Sequence, residues 1–233
     1  MKKKETTAVA ERLLTKNTVC LIQRMTEHAA HDEIIQGVGW DEGKGCFVGC
    51  CLHNYDHSRF PDQLGWPEQL SHLCDAIFEA LPNAKAKEFA VDVPNAVGED
   101  GKDLSMVVPQ WIYWTLSDEG SKPTKYPQFQ PFIDAVMAIY EEWTRTGARP
   151  STDRADMADM AYLAYRADMA DRADMADMAF LAYRADRAYR AYRAWGADRA
   201  YRADLADLAY RADLASDKLL ELLRNAPKVG GAK

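Results

Sequence analysis

The sequence predicts an all-α protein in which a small helical N-terminal domain is followed by a helical triplet repeat. Apolar residues recur at helical spacing in the first part of the chain, and alternation typical of strands is weak there. From Ala155 to Ala215 every third residue is alanine, 21 times without a change of phase. The predicted parts are a helical domain at 1–148, a linker at 149–154, the repeat at 155–217, and a short helix with a flexible tail at 218–233.

The N-terminal domain is predicted to contain five helices joined by loops rich in glycine and proline. Leu70, Leu73 and Ile77 would share one face of such a helix, which Pro67 can begin because proline suits a first helical turn. Only Cys46–Leu52 could pair as a short β-hairpin. The predicted helices span residues 6–15, 18–34, 67–80, 104–117 and 129–145.

The repeat restricts all three of its positions. Alanine is followed by Asp in 11 triplets and by an aromatic residue in 9, and the third position is mostly Arg, Met or Leu. Residues 155–172 match residues 173–190 at 15 of 18 positions. Collagen would require glycine at every third position, and this segment has a single glycine. Since Ala, Met, Leu and Arg favour helices, we predict a helix.

A period of three favours a 3₁₀ helix over an α-helix in the repeat. In an α-helix, residues three apart drift backwards by about 60° per triplet, so the alanines wrap round the rod and no apolar stripe forms. A 3₁₀ helix, with three residues per turn, places every alanine on one face. Because an isolated rod would expose its aromatic residues, we expect the repeat to fold back on itself or to oligomerise.

Charge and hydropathy exclude several classes of partner. The net charge of −7 resides entirely in the first 150 residues, because the chain from residue 151 onward contains 14 acidic and 14 basic residues. Nucleic-acid binding calls for a basic excess and is therefore not expected. No apolar run approaches the length of a membrane span, and Glu11 and Arg12 interrupt any signal-like segment. We expect a cytoplasmic protein without a membrane partner.

All five histidines and all five cysteines lie between Cys20 and Cys74. An odd number of cysteines favours free thiols or metal ligands over a disulfide framework. Zinc commonly takes four nitrogen or sulfur ligands. The candidate zinc ligands are Cys46, Cys50, His53 and His57. A cysteine nucleophile served by Asp56 and His57 is a second hypothesis. We favour a third, in which Cys20, Cys50 and Cys74 are small core residues, His57 holds a loop by hydrogen bonding and no cofactor is bound.

The stretch from Gly37 to Pro82 resembles a family of uncharacterised phage and bacterial proteins that carry an Ala-rich triplet array at the C-terminus. The segments that carry the resemblance are Gly39-Trp40-Asp41, Gly43-Lys44-Gly45-Cys46, Val48-Gly49-Cys50, Tyr55-Asp56-His57-Ser58, Phe60-Pro61, Leu64-Gly65 and DAIFEALP at 75–82. The resemblance implies this two-part architecture and a phage-like origin, hence a host cytoplasm, and it supplies no catalytic residues. Of the candidate zinc ligands, His53 falls outside the family motifs.

These observations predict a non-enzymatic interaction or assembly protein. The repeat would pack helices through an alanine ridge and present Tyr, Arg and Asp to a partner, which is either another copy of the chain or a different protein. The alternative is a metal-dependent or thiol enzyme that uses the N-terminal Cys, His and Asp cluster.

Overall fold

The computed structural model describes residues 13–117, 130–148 and 205–229, and within them the fold is all-α as predicted. The helices are α1 (Thr18–Ala30), α2 (Phe47–Leu52), α3 (Phe60–Leu64), α4 (Glu68–Ala80), α5 (Asn83–Val97), α6 (Val107–Leu116), α7 (Gln130–Thr146) and α8 (Leu205–Asn225). Strand β1 (Trp40–Asp41) pairs antiparallel with β2 (Lys44–Gly45), and a 3₁₀ turn spans His57–Arg59. None of these helices is long and apolar enough to cross a membrane.

Four of the five predicted helices are confirmed as α1, α4, α6 and α7. Residues 13–15 of the remaining one are not helical, and its residues 6–12 lie outside the described part of the chain. The predicted hairpin at Cys46–Leu52 is wrong, since Phe47–Leu52 forms α2 and the hairpin precedes it. All six residues of α2 are buried, so their apolar character reflects burial on every side and not strand pairing.

Helices α3 and α5 were not predicted. Helix α5 contains Pro94 in its interior, a residue that normally ends a helix because it cannot donate a backbone hydrogen bond. Its core face is nevertheless periodic, since Ala86, Phe89, Val93 and Val97 are all buried. Burial of this face stabilises the helix despite the proline.

Helix α4 lies at the centre of the core. It contacts α2, α3, α5, α6 and α8, while α1 packs against α2 and α5. Leu70 and Phe78 of α4 are fully buried, as are Trp66 and Phe60 on the segment before it. One face of α4 therefore completes the apolar core, and its remaining surface positions polar residues against the neighbouring loops.

Helix α8 joins the end of the repeat to the core of the N-terminal domain. Residues 205–216 of the repeat are α-helical, so the preference for a 3₁₀ helix is wrong for this part, and the rest of the repeat lies outside the described residues. The helix runs without interruption into residues 218–225, where a separate short helix was predicted. It packs on α4, α5 and α6 with Leu219 and Leu223 fully buried. Helix α8 is thus part of the core of the N-terminal domain.

The segment that follows α8 is also fixed, up to residue 229. The Asp103 N–H donates to the Pro227 carbonyl over 2.9 Å, and the Val229 N–H donates to the Gly101 carbonyl over 2.8 Å. Gly101 has a φ of 86°, a conformation that favours glycine. The chain is therefore held against the domain up to residue 229, and residues 230–233 and the predicted linker at 149–154 lie outside the described residues.

Candidate functional site

Helix α4 carries a group of polar residues, three of them buried, that we call the α4 polar cluster. Its members are Tyr55, His57, Ser71, His72 and Asp75. The His57 and His72 rings stack with centroids 3.8 Å apart, and His57 Nδ1 lies 2.8 Å from Ser71 Oγ. The Tyr55 hydroxyl donates to Asp75 Oδ2 over 3.1 Å, and His57 Nε2 lies 3.7 Å from the same oxygen. The 3₁₀ turn and the loop before it are thereby held against α4.

Burial keeps His57 neutral, and the hydrogen bonds of this cluster leave Ser71 without a nucleophilic role. Ser71 Oγ donates to the Glu68 carbonyl over 2.7 Å, so His57 Nδ1–H donates to Ser71 Oγ. Burial, assisted by the nearby His72, lowers the pKa of His57 to about 3. A serine hydrolase needs an exposed hydroxyl whose proton points at the histidine. Ser71 is fully buried and its proton points elsewhere, which disfavours that chemistry.

The carboxyl of Asp75 is nine-tenths buried, and only its Oδ2 atom accepts a hydrogen bond. Burial raises its pKa to about 6. The Cys46 thiol and the Val48 N–H lie close to this carboxyl. Neither makes a hydrogen bond of normal geometry to it, so Oδ1 has no hydrogen-bond partner. Asp75 therefore keeps one buried acceptor oxygen available.

Cys46, Asp75 and Glu79 come together beside the α4 polar cluster. Cys46 is the N-cap residue of α2, and Asp75 and Glu79 are one turn apart on α4, hence on the same face. Their ligand atoms all lie within 4.8 Å of one another, and in the described residues this is the one such group of three or more Cys, His, Asp or Glu side chains. Cys46 and Asp75 are buried, whereas Glu79 is exposed to solvent. The arrangement offers a thiol and two carboxyls to a metal ion.

A second polar group lies at the end of α1 and is called the α1 histidine cluster. It comprises His28, Glu33, Trp40 and His53. His28 Nδ1 lies 2.6 Å from Glu33 Oε2, and His28 Nε2 lies 3.0 Å from His53 Nε2. The His53 ring stacks on Trp40 with centroids 4.8 Å apart. Desolvation, with the charges of Arg24 and His28, lowers the pKa of His53.

An open depression of about 310 Å³ borders the α1 histidine cluster. Its walls include Cys20, Arg24, His28 and His53, which are all polar or ionisable. Small-molecule sites are usually enclosed and lined by apolar side chains with a few polar groups. This depression lacks that character, so we assign it no ligand.

The structure does not bring the four predicted zinc ligands together. Cys46 faces the carboxyls of α4, while Cys50, one turn later, has its thiol 3.3 Å from the Gly45 carbonyl. His53 lies just beyond α2 with a φ of 52° and stacks on Trp40, whereas His57 belongs to the α4 polar cluster. No three of these four ligand atoms lie within 4.8 Å of one another. The end of α2 separates the side chains onto different faces.

The buried cysteines are poor candidates for thiolate chemistry. Cys46, Cys50, Cys51 and Cys74 are all buried free thiols, and burial raises the pKa of each of them. Because the thiolate is the nucleophile, a raised pKa lowers the reactive fraction at neutral pH. The prediction of core cysteines is thus confirmed for Cys50 and Cys74 and is wrong for Cys20, which is exposed.

Comparisons with protein families, curated proteins and solved structures found no match to this chain. The chemistry of the site is therefore inferred from its own geometry.

Asp75 and Glu79 were missed as candidate ligands. Their spacing of four residues on a helix predicted at 67–80 placed them on one face, which was a usable signal. Their proximity to Cys46 depends on how α2 docks against α4. A Cβ atom on Gly49 would lie 1.8 Å from the Gly39 carbonyl oxygen, so only glycine permits α2 to sit this close to the loop before β1.

Proposed function

We propose that this chain is a non-enzymatic interaction or assembly protein, whose triplet repeat packs helices through its alanine positions. The partner surface would be a second copy of the chain or another protein. The last triplets of the repeat form the first part of α8. The observation that carries this proposal is how their side chains pack against the domain.

In α8 the repeat alanines Ala212 and Ala215 face the domain. Ala212 is 6% exposed, and Ala215 is half-buried with its carbonyl accepting a hydrogen bond from Trp111 Nε1–H at 3.2 Å. Between them, Asp213 pairs with Lys85 of α5, and Leu214 is 37% exposed. The small alanine side chains thus lie at the contact with the domain, and Asp213 lies at the edge of this contact. Leu214, at the third position of its triplet, lies on the solvent side. This is the division of faces that the proposal assigns to the repeat.

The geometry of an α-helix extends this argument to several neighbours. Because alanines three residues apart rotate backwards by about 60° per triplet, one face keeps only two or three of them. On α8, the inward positions pass from Ala212 and Ala215 to Leu219 and Leu223. A long array of triplets would offer its alanines in successive directions. Such an array suits contact with more than one helix.

The rest of the domain supports a role without catalysis. The four buried thiols have raised pKa values, and the serine of the α4 polar cluster is enclosed. Helix α7, which precedes the repeat in sequence, and helix α8, which contains its last triplets, both contact α6. The domain would therefore serve as a base that holds both flanks of the repeat.

Light scattering of the full chain at increasing micromolar concentrations tests the proposal. We expect self-association that weakens when Ala176, Ala179 and Ala182 are together replaced by Gln. A matched variant replaces the third position of three triplets in the same segment, Met175, Met178 and Leu181, by Gln and should associate more strongly than the alanine variant. A full chain that stays monomeric, or equal association of the two variants, would contradict packing through the alanines.

A further inference from the structure

We propose that Cys46, Asp75 and Glu79 bind a divalent transition-metal ion of the zinc class, with one coordination position left to water or a small ligand. This site differs from the zinc ligands that the sequence suggested and shares only Cys46 with them. It is independent of the proposed assembly function, since all three residues lie in the domain and none belongs to the repeat.

The spatial arrangement fits three ligands of one ion. Tetrahedral zinc, with bonds of about 2.0–2.3 Å, holds its ligand atoms roughly 3.5 Å apart. The three ligand atoms here already lie within 4.8 Å of one another, so side-chain rotations alone can close the site. Three protein ligands and an open position are typical of zinc sites that exchange a bound water.

The unpartnered oxygen of Asp75 points independently to a missing ligand. Asp75 is 8% exposed, and its Oδ1 accepts no hydrogen bond. Buried polar atoms are nearly always satisfied, because leaving one without a partner costs roughly 1–3 kcal/mol. A metal ion bound beside the Cys46 thiol would satisfy this oxygen.

The ligand set would match the charge of a divalent cation. A bound metal ion displaces the thiol proton, and the resulting thiolate and two carboxylates would carry three negative charges in a small volume. No described lysine or arginine forms an ion pair with these side chains. A divalent ion would offset most of this charge. A thiolate ligand selects zinc-like ions over Mg²⁺ or Ca²⁺, which prefer oxygen ligands.

Outer hydrogen bonds already orient two of the ligands. The Tyr55 hydroxyl donates to Asp75 Oδ2 over 3.1 Å, and the Gly37 N–H lies 3.0–3.1 Å from the two carboxylate oxygens of Glu79. Such partners fix the direction of ligating carboxylates and raise metal affinity. The exposed position of Glu79 leaves a path by which an ion can enter.

Cobalt titration of the chelator-treated full chain tests the site. Co²⁺ is the probe, because a cobalt–thiolate bond gives a charge-transfer absorption band, and calorimetry with Zn²⁺ gives the affinity. We expect one ion per chain with the thiolate band. Cys46→Ser should abolish the band, and Glu79→Gln should keep it while weakening binding at least tenfold.

Two control variants separate this site from other binding. Cys20→Ser removes an exposed cysteine, and Glu68→Gln removes another exposed glutamate of α4. Both should bind as the natural chain does. The proposal is overturned if the natural chain binds no Co²⁺, if Cys46→Ser keeps the band, or if Glu79→Gln binds as tightly as Glu68→Gln. Should Cys46→Ser fail to fold by circular dichroism, Glu79→Gln decides the matter, because Glu79 lies at the surface.

Discussion

The core contains two regions of different construction, one around α4 and the other along α8. Around α4, large apolar residues such as Phe78 and Trp66 surround a polar cluster that includes neutral His57 and the half-satisfied Asp75. Along α8, the inward side starts with alanine and continues with leucine, and Lys102 Nζ donates to the last carbonyls of the helix, those of Leu223 and Arg224. The α4 region is thus irregular and titratable, whereas the α8 region is periodic and largely apolar.

The α8 region shows how one triplet pattern can both continue the repeat and begin a helix that packs on the domain. A period of three meets an α-helical face for only two or three triplets. At the end of the repeat these few triplets suffice to start α8, after which non-repetitive leucines complete the contact. A repeat can therefore be joined to a domain without losing its own pattern.

The largest expected effect tests whether α8 belongs to the core. Leu223→Ala removes a fully buried side chain, and we expect a loss of about 2–5 kcal/mol in the free energy of unfolding. The matched change Leu214→Ala, on the outer side of the same helix, should cost no more than about 0.5 kcal/mol. Urea unfolding followed by circular dichroism measures both. Equal losses would mean that α8 does not pack as described.

An intermediate effect tests the titratable character of the α4 region. The pKa of His57 is about 3 in the fold and about 6.5 in the unfolded chain, so only the unfolded chain takes up this proton as the pH falls through that window. His57 therefore costs stability on acidification, up to about 1.4 kcal/mol per pH unit. Asp75 acts in the opposite sense between about pH 6 and 3.8, since its pKa is raised in the fold.

Comparison with His57→Asn isolates the histidine, because asparagine can keep the hydrogen bond to Ser71 without titrating. We expect the stability of the natural chain relative to this variant to fall between pH 6 and pH 4. Urea unfolding at several pH values, with EDTA present to remove divalent ions, gives the difference. A constant difference across this range would show that His57 is not kept neutral.

The smallest expected effect concerns the edge of the α8 region. Lys85 and Asp213 form an ion pair whose side chains are both partly exposed, and such pairs contribute about 0–1 kcal/mol. A double-mutant cycle with Lys85→Met and Asp213→Asn should give a coupling energy within that range, and added salt should reduce it. A coupling energy well above 1 kcal/mol would show that this edge is as buried as the contact made by Leu219 and Leu223.

Local patterns predicted much of the helical structure. Helices α1 and α4 were predicted because their apolar residues repeat at helical spacing, which is visible in a short window of sequence. Helix α5 was not predicted; it contains Pro94, and burial of its periodic face outweighs the lost hydrogen bond. Short α2 was taken for a strand, since a fully apolar run has no period by which to tell helix from strand.

The candidate site depended more strongly on distant contacts. Cys46 was identified as a candidate ligand from its residue type, but its companions Cys50, His53 and His57 were chosen only for proximity in sequence. The structure instead places Asp75 and Glu79 next to it, because α2 docks against α4. The choice of companions required knowledge of that docking.

The sequence by itself determined the helical class, the charge balance between the two parts of the chain and the alanine spacing of the repeat, because these are properties of composition and of short segments. The tertiary structure alone decided that α8 returns to the core and that a thiol from α2 meets two carboxyls from α4. Both depend on which helices pack together, and the burial energy that selects such packing is shared among residues far apart in the chain.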